Sequence, residues 1–213
     1  TGTGAIDLDG LGALTLSDVD TVNGAITVTS AGALTVTDVA TGNNNAIALT
    51  TSSGDITGLA TVNAGSGNVT LNSAGAIADD GSTGTVVTGG VLTADAAGAI
   101  TIDSTVTSAD ISTSAAGAIA LDETDGITLT DLDTTDGSIT VSAGGALTAT
   151  DVVAGGGTGD SVTLSTTTGG AVATLVTGAD AVSITADAGD ITIGAVTATA
   201  GTLGVTATTG SIN

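Results

Sequence analysis

Aliphatic residues return along this chain at nearly constant intervals. One series runs Leu14, Leu34, Ile56, Ile77, Ile100, Ile119, Ile139, Val162, Val182 and Leu203, in steps of 20, 22, 21, 23, 19, 20, 23, 20 and 21 residues. An interleaved series runs Ile6, Ile26, Ile47, Val69, Leu92 and Ile111, in steps of 20, 21, 22, 23 and 19. A period near 21 that persists over 213 residues predicts about ten turns of a coil wound on top of itself. Each turn is one unit that cannot bury its apolar face without its neighbours.

The unit itself alternates. In Gly24-Ala25-Ile26-Thr27-Val28 the two aliphatics point one way and the threonine the other, which is the period of a strand. Helix is disfavoured, because β-branched residues and glycine dominate and the long straight-chain helix formers are missing. Three or so short strands per turn, separated by Gly, Asn or Asp corners, would pair in parallel with the turns above and below at ~4.8 Å. The fold class read from the residues is therefore all-β, a parallel β-solenoid with a narrow aliphatic interior.

A corner can be placed. Leu14 and Leu16 face inward, but Val19 breaks their parity, so Ser17-Asp18 is where the backbone bends before a short face carrying Val19 and Val22. Aspartate suits such bends because its side chain bonds nearby backbone groups. The same pattern returns 20 residues later at Asp38, and again at Asp131 and Asp151. Segment 124–152 matches 11–39 almost position for position, which suggests a larger duplication offset by 113 residues (Leu14 to Ile127).

The tandem G-A-(I/L)-T-(V/L) units on a coil of about 20 residues resemble the repeats of filamentous-haemagglutinin-type large exoproteins, bacterial adhesins of the two-partner secretion class. The resemblance implies a right-handed parallel β-helix. It also implies an extracellular or cell-surface location and a role as stalk, fibre or adhesive rod. Residues 1–213 read as a single solenoid segment: Thr1 starts just before a repeat, Asn213 stops partway through one, and neither end carries a cap. Part of a longer solenoid, or a filament subunit that self-associates end to end, is the expectation.

Composition removes most chemistry. The chain has no Lys, Arg, His, Cys, Met, Pro, Gln or aromatic residue, and a single glutamate, Glu123. Ordinary general bases near neutral pH and activated nucleophile pairs are lacking, and no enzyme is expected. Nothing pairs with phosphate, so neither nucleic acid nor an anionic membrane is expected as a partner. No stretch approaches the ~18 apolar residues of a membrane helix, and the aromatic girdles of an outer-membrane barrel are missing, so no membrane insertion is expected. Carboxylate pairs run glycosidases on some β-helices, but sugar platforms of aromatic and basic residues are lacking here. Thr-x-Thr triplets resemble ice-binding arrays, yet the Ile26 series interrupts them, and they read as the outward side of a polar face. The sequon Asn68-Val69-Thr70 reads as lying inside a strand.

Acidic residues are what remains. The 22 carboxylates on a rod of ~50 Å amount to roughly one per 2 Å of axis, close to the charge density of duplex DNA. Asp18 and Asp38 should stack one above the other, and so should Asp131 and Asp151. Stacked carboxylates either share a cation, Ca²⁺ being the natural choice for oxygen ligands, or repel until one holds its proton. Most such residues in a solenoid simply face water. The clusters Asp79-Asp80 and Asp122-Glu123-Thr124-Asp125 read as solvated loops. The function expected is a structural, non-enzymatic fibre segment; the alternative is a calcium-dependent adhesin or cation-binding matrix module using the stacked aspartates.

Overall fold

The structure, a computed structural model, describes residues 2–213. It contains 22 strands and, among the described residues, no helix; every strand pairing is parallel. The first coils carry three short strands each, as in Ile6–Gly10, Leu14–Leu16 and Val19–Thr21. Farther along, the corner between two of these faces straightens. Each turn is then built from two strands, such as Ile119–Glu123 and Ile127–Asp136.

The register confirms the first periodic series in full. Leu14, Leu34, Ile56, Ile77, Ile100, Ile119, Ile139, Val162, Val182 and Leu203 form one unbroken column. From Leu34 to Val182 its members are essentially inaccessible to solvent. Leu14 and Leu203 are more exposed, because each has a neighbouring coil on one side only. The interior is a single aliphatic stack, flanked by columns such as Val28, Leu49, Leu71, Ala94 and Ile111.

The interleaved series needs correction at its last step. Ile6, Ile26, Ile47, Val69 and Leu92 do stack, but Leu92 then meets Ala109, 17 residues on (92 to 109), and Ile111 belongs above Ala94. Ala109 and Ile111 lie two apart on the same inward face, so parity alone could not choose between them. The short face after the corner also differs from expectation. Thr21 is buried, whereas Val22 is half exposed. The 113-residue echo is not a whole number of coils: Ile139, which corresponds in sequence to Ile26, occupies the column of Leu14, and Ile127 stacks on Leu147 in another.

Strand ends are fastened by hydroxyls that point inward. Ser30, Thr51, Ser73, Thr113 and Thr134 occupy one corner of the stack and are buried, with Ala96 at the same place on the turn between Ser73 and Thr113. Ser73 Oγ donates to the Ala76 carbonyl (2.9 Å), Thr51 Oγ1 to Gly54 (2.9 Å) and Thr113 Oγ1 to Gly117 (3.1 Å). Each bond reaches three or four residues ahead and ties the strand end to a carbonyl of the turn that follows it. Thr41 does the same at a second corner, donating to Asn45 O at 2.7 Å.

Candidate functional site

The bend at Ser17-Asp18 lies where the sequence places it, between Leu14–Leu16 and Val19–Thr21. The coil above is locked to it by Val19 N donating to Asp38 O (3.0 Å) and Thr37 N donating to Leu16 O (2.8 Å). These bonds bring Asp18 and Asp38 together, and Asp20 joins them. Each of the three offers a carboxylate oxygen, all within 4.8 Å of one another, and this is the one such acidic triad among the described residues. Asp20 Oδ1 is occluded and has no hydrogen-bond partner. Burial raises the pKa of Asp20, and the neighbouring Asp18 and Asp38 carboxylates add to the effect. Sequence reasoning missed Asp20, although it lies only two residues beyond the Asp18 bend, in the short strand Val19–Thr21.

Asp131 and Asp151 sit differently. Asp131 lies inside the strand Ile127–Asp136, above Asp110 of the previous coil, at a register shift rather than at a full corner. In-register pairs flank Asp131 and Asp151 on both sides, Leu129 with Ala149 and Leu132 with Val152. Above Asp151 the column turns apolar at Leu175. The Asp133 pKa is raised by burial first and then by Asp131, Asp151 and Asp110, and that of Asp110 by burial and then by Asp131 and Asp95. Asp151 Oδ1 is occluded and unpartnered. This is a ladder of like charges along the rod axis, without three oxygens converging on one point.

The acidic run 122–125 is not the solvated loop the sequence suggests. Asp122 faces outward over Asp103, whose pKa burial and the carboxylates of Asp79, Asp122 and Asp80 push up. Glu123 points inward and is 1% exposed, sharing a column with Ser104 below and Ala143 above. The Ser104 hydroxyl donates to its carboxylate at 2.6 Å and Val106 N at 3.1 Å. Burial lifts its pKa to about 6 against those donors, with the Asp125 side chain also raising it. Asn68 also departs from expectation: it is exposed in the corner preceding Val69–Ser73 rather than within the strand.

Two surface clefts of about 220 and 240 Å³ carry one carboxylate each, Asp125 and Asp95 respectively. Chemically, the molecule offers carboxylate, hydroxyl and amide oxygens on a rigid ladder; these bind hard cations and water, and lack an imidazole or amine to move protons at neutral pH. No family model, curated protein or solved structure matches the chain.

Proposed function

We propose that this chain is a structural, non-enzymatic segment of an extracellular or cell-surface fibre, a stiff acidic rod continued end to end by further coils or by further copies. The observation that carries the reading is the unbroken column from Leu14 to Leu203, around which the backbone ladder continues through every turn. Such a rod resists bending because the strands of each coil are bonded to those of the next. The outermost coils present apolar column members for stacking, with Leu203 and Ile212 about half exposed and Leu8 38% exposed. Their strand edges also leave backbone groups for another coil to pair. A surface rich in aspartate and without one basic side chain keeps parallel rods apart, so growth along the axis is favoured over lateral clumping. The location follows from the resemblance to haemagglutinin-type exoprotein repeats. Electron microscopy of the purified chain tests the end-to-end step. Micrometre-long filaments are expected, and isolated rods of ~50 Å at every concentration would overturn it.

A second reading is favoured by the Asp18–Asp20–Asp38 triad and its unpartnered Asp20 oxygen. Here a Ca²⁺ ion staples two coils, taking oxygen ligands from both. Calorimetric titration with Ca²⁺ distinguishes it: a saturable site lost in Asp20→Asn supports the staple, and weak, salt-sensitive uptake unchanged by the substitution removes it. Asp131 and Asp151 enter this reading as a secondary screening ladder.

A further inference from the structure

Glu123 is the chain's single glutamate and its one fully buried carboxylate among the described residues. It sits where the cross-section of the solenoid changes. Below, the strand Ile100–Ala116 continues past Ser104 to Val106, but above it the chain turns away through Thr124–Gly126. The Val106 N–H thus faces a turn where a ladder strand would otherwise run, and the Glu123 carboxylate accepts from it with both oxygens (3.2 and 3.1 Å). The same group accepts from Ser104 Oγ and, at 3.4 Å, from Asp125 N. A side chain has replaced a rung of the backbone ladder.

We propose that Glu123 makes this corner an acid-tightened joint in the rod: with a proton on the carboxyl the coils on either side stay locked, and losing that proton loosens the Val106–Asp125 rung locally.

The surroundings define the titration. On the strand below, Ser104 and Val106 face the carboxyl, while Asp103 points outward beside Asp122. On the strand above, Ile139–Ala143, the inward residues are Ile139, Val141 and Ala143, none of them titratable. Val87 and Gly89 lie beneath Ser104 and Val106 and carry no charge. Asp125, in the adjoining turn, is the one titratable neighbour that presses on the carboxyl, and it is acidic too. No basic side chain exists anywhere in the chain to balance an ionised Glu123. Three donor groups must do so against burial and against Asp125. The neutral carboxyl carries no charge to balance, and the Ser104 oxygen lies within 2.6 Å of it.

The sign follows from linkage. Glu123 holds its proton up to about pH 6 in the folded chain, against 4.5 as the ordinary value. Its stabilisation of the corner is therefore fully present below about pH 4.5 and is lost as pH rises through 6. The local opening constant should rise by up to about 30-fold across that window.

Amide hydrogen exchange read residue by residue between pH 4.5 and 7.5, corrected for intrinsic rates, tests the joint. Protection at Val106 and Asp125 should fall by up to about 30-fold with a midpoint near 6, and that step should vanish in Glu123→Gln. Protection at Val106 that is flat with pH, or that falls equally in Glu123→Gln, overturns the proposal. Should Glu123→Gln not fold, ¹³C-glutamate labelling of the wild-type chain gives one carboxyl resonance, because there is one glutamate. A midpoint near 6 supports the joint, and one near 4.5 overturns it.

Discussion

Gly117 is where the close stacking of coils can be tested by a single methyl group. A Cβ added there would lie 2.5 Å from Ala99 N and from Gly98 C in the coil below, where ordinary contact begins at 3.4 Å. Both atoms are backbone, so no side chain can swing clear. Relief requires the coils to part by roughly 1 Å at this corner, which stretches two ladder bonds between them, Ile100 N to Ala118 O (2.9 Å) and Ala115 N to Ala97 O (3.1 Å). Overpacking costs about 1–3 kcal/mol, and each weakened buried backbone bond adds about 1 kcal/mol or more. Gly117 does not occupy the left-handed region, so alanine recovers up to about 1 kcal/mol through the unfolded chain. The net expectation for Gly117→Ala is a loss of about 2–4 kcal/mol. Gly84→Ala is the control: nothing lies within 4 Å of its added Cβ, and the change should be neutral or stabilising by up to about 1 kcal/mol. Urea unfolding followed by circular dichroism measures both. Unfolding free energies for the two variants within about 0.5 kcal/mol of each other would refute the close-stacking argument.

Replacing Thr134 by valine keeps its shape but removes the hydroxyl that donates to the Gly137 carbonyl; a loss of about 1–3 kcal/mol is expected in the same assay. Burial and like charges raise the pKa values of Asp20, Asp103, Asp110 and Asp133. Their folded forms therefore hold protons more tightly than the unfolded chain does, and stability should rise as pH falls from neutral into the carboxylate range. A melting temperature lower at pH 5 than at pH 8 would contradict this. Added salt should raise the melting temperature at neutral pH, because screening relieves repulsion that no internal cation offsets.

The coil period and its main column were legible because a solenoid imposes the same demand on every turn: residues one coil apart face the same neighbours. Leu14 to Leu203 could be followed through steps of 19 to 23 residues since each member is large and is preceded by small residues. The failure at Leu92 has a local cause. The coil there is only 17 residues long, and Ala109 and Ile111 present equivalent parity, so the larger residue drew the assignment. Glu123 was misread as part of a solvated loop, and the buried hydroxyls went unnoticed, for a different reason. Parity put Glu123 in line with Ile119 and Leu121, and Ser30 in line with Ile26 and Val28, all facing inward. Polarity argued the other way. Parity prevailed because the turn supplied partners: carbonyls for the hydroxyls, and donors at Ser104, Val106 and Asp125 for the carboxylate. Such partners come from residues some 20 positions away or from the shape of a corner, which a linear pattern does not reveal. Asp18 and Asp38 were found together for the same reason that the core was, being one period apart; Asp20 joins them because the strand Val19–Thr21 starts directly after the bend.

The chain is a stack of coils with a fixed rise. It can be read with a ruler, because the chain has no cysteine and accepts paired spin labels cleanly. Thr15, Thr101, Thr140 and Thr163 are exposed members of one outward column that passes through Thr35, Thr57, Ala78 and Ala120. Cysteines at Thr15 and Thr101 are four coils apart, at Thr15 and Thr140 six, and at Thr15 and Thr163 seven. With ~4.8 Å per coil, pulsed dipolar spectroscopy should give narrow distributions centred near ~19, ~29 and ~34 Å. Distances that grow by one coil rise per repeat are the predicted result; distances that plateau, or that fail to follow coil number, would contradict the stack.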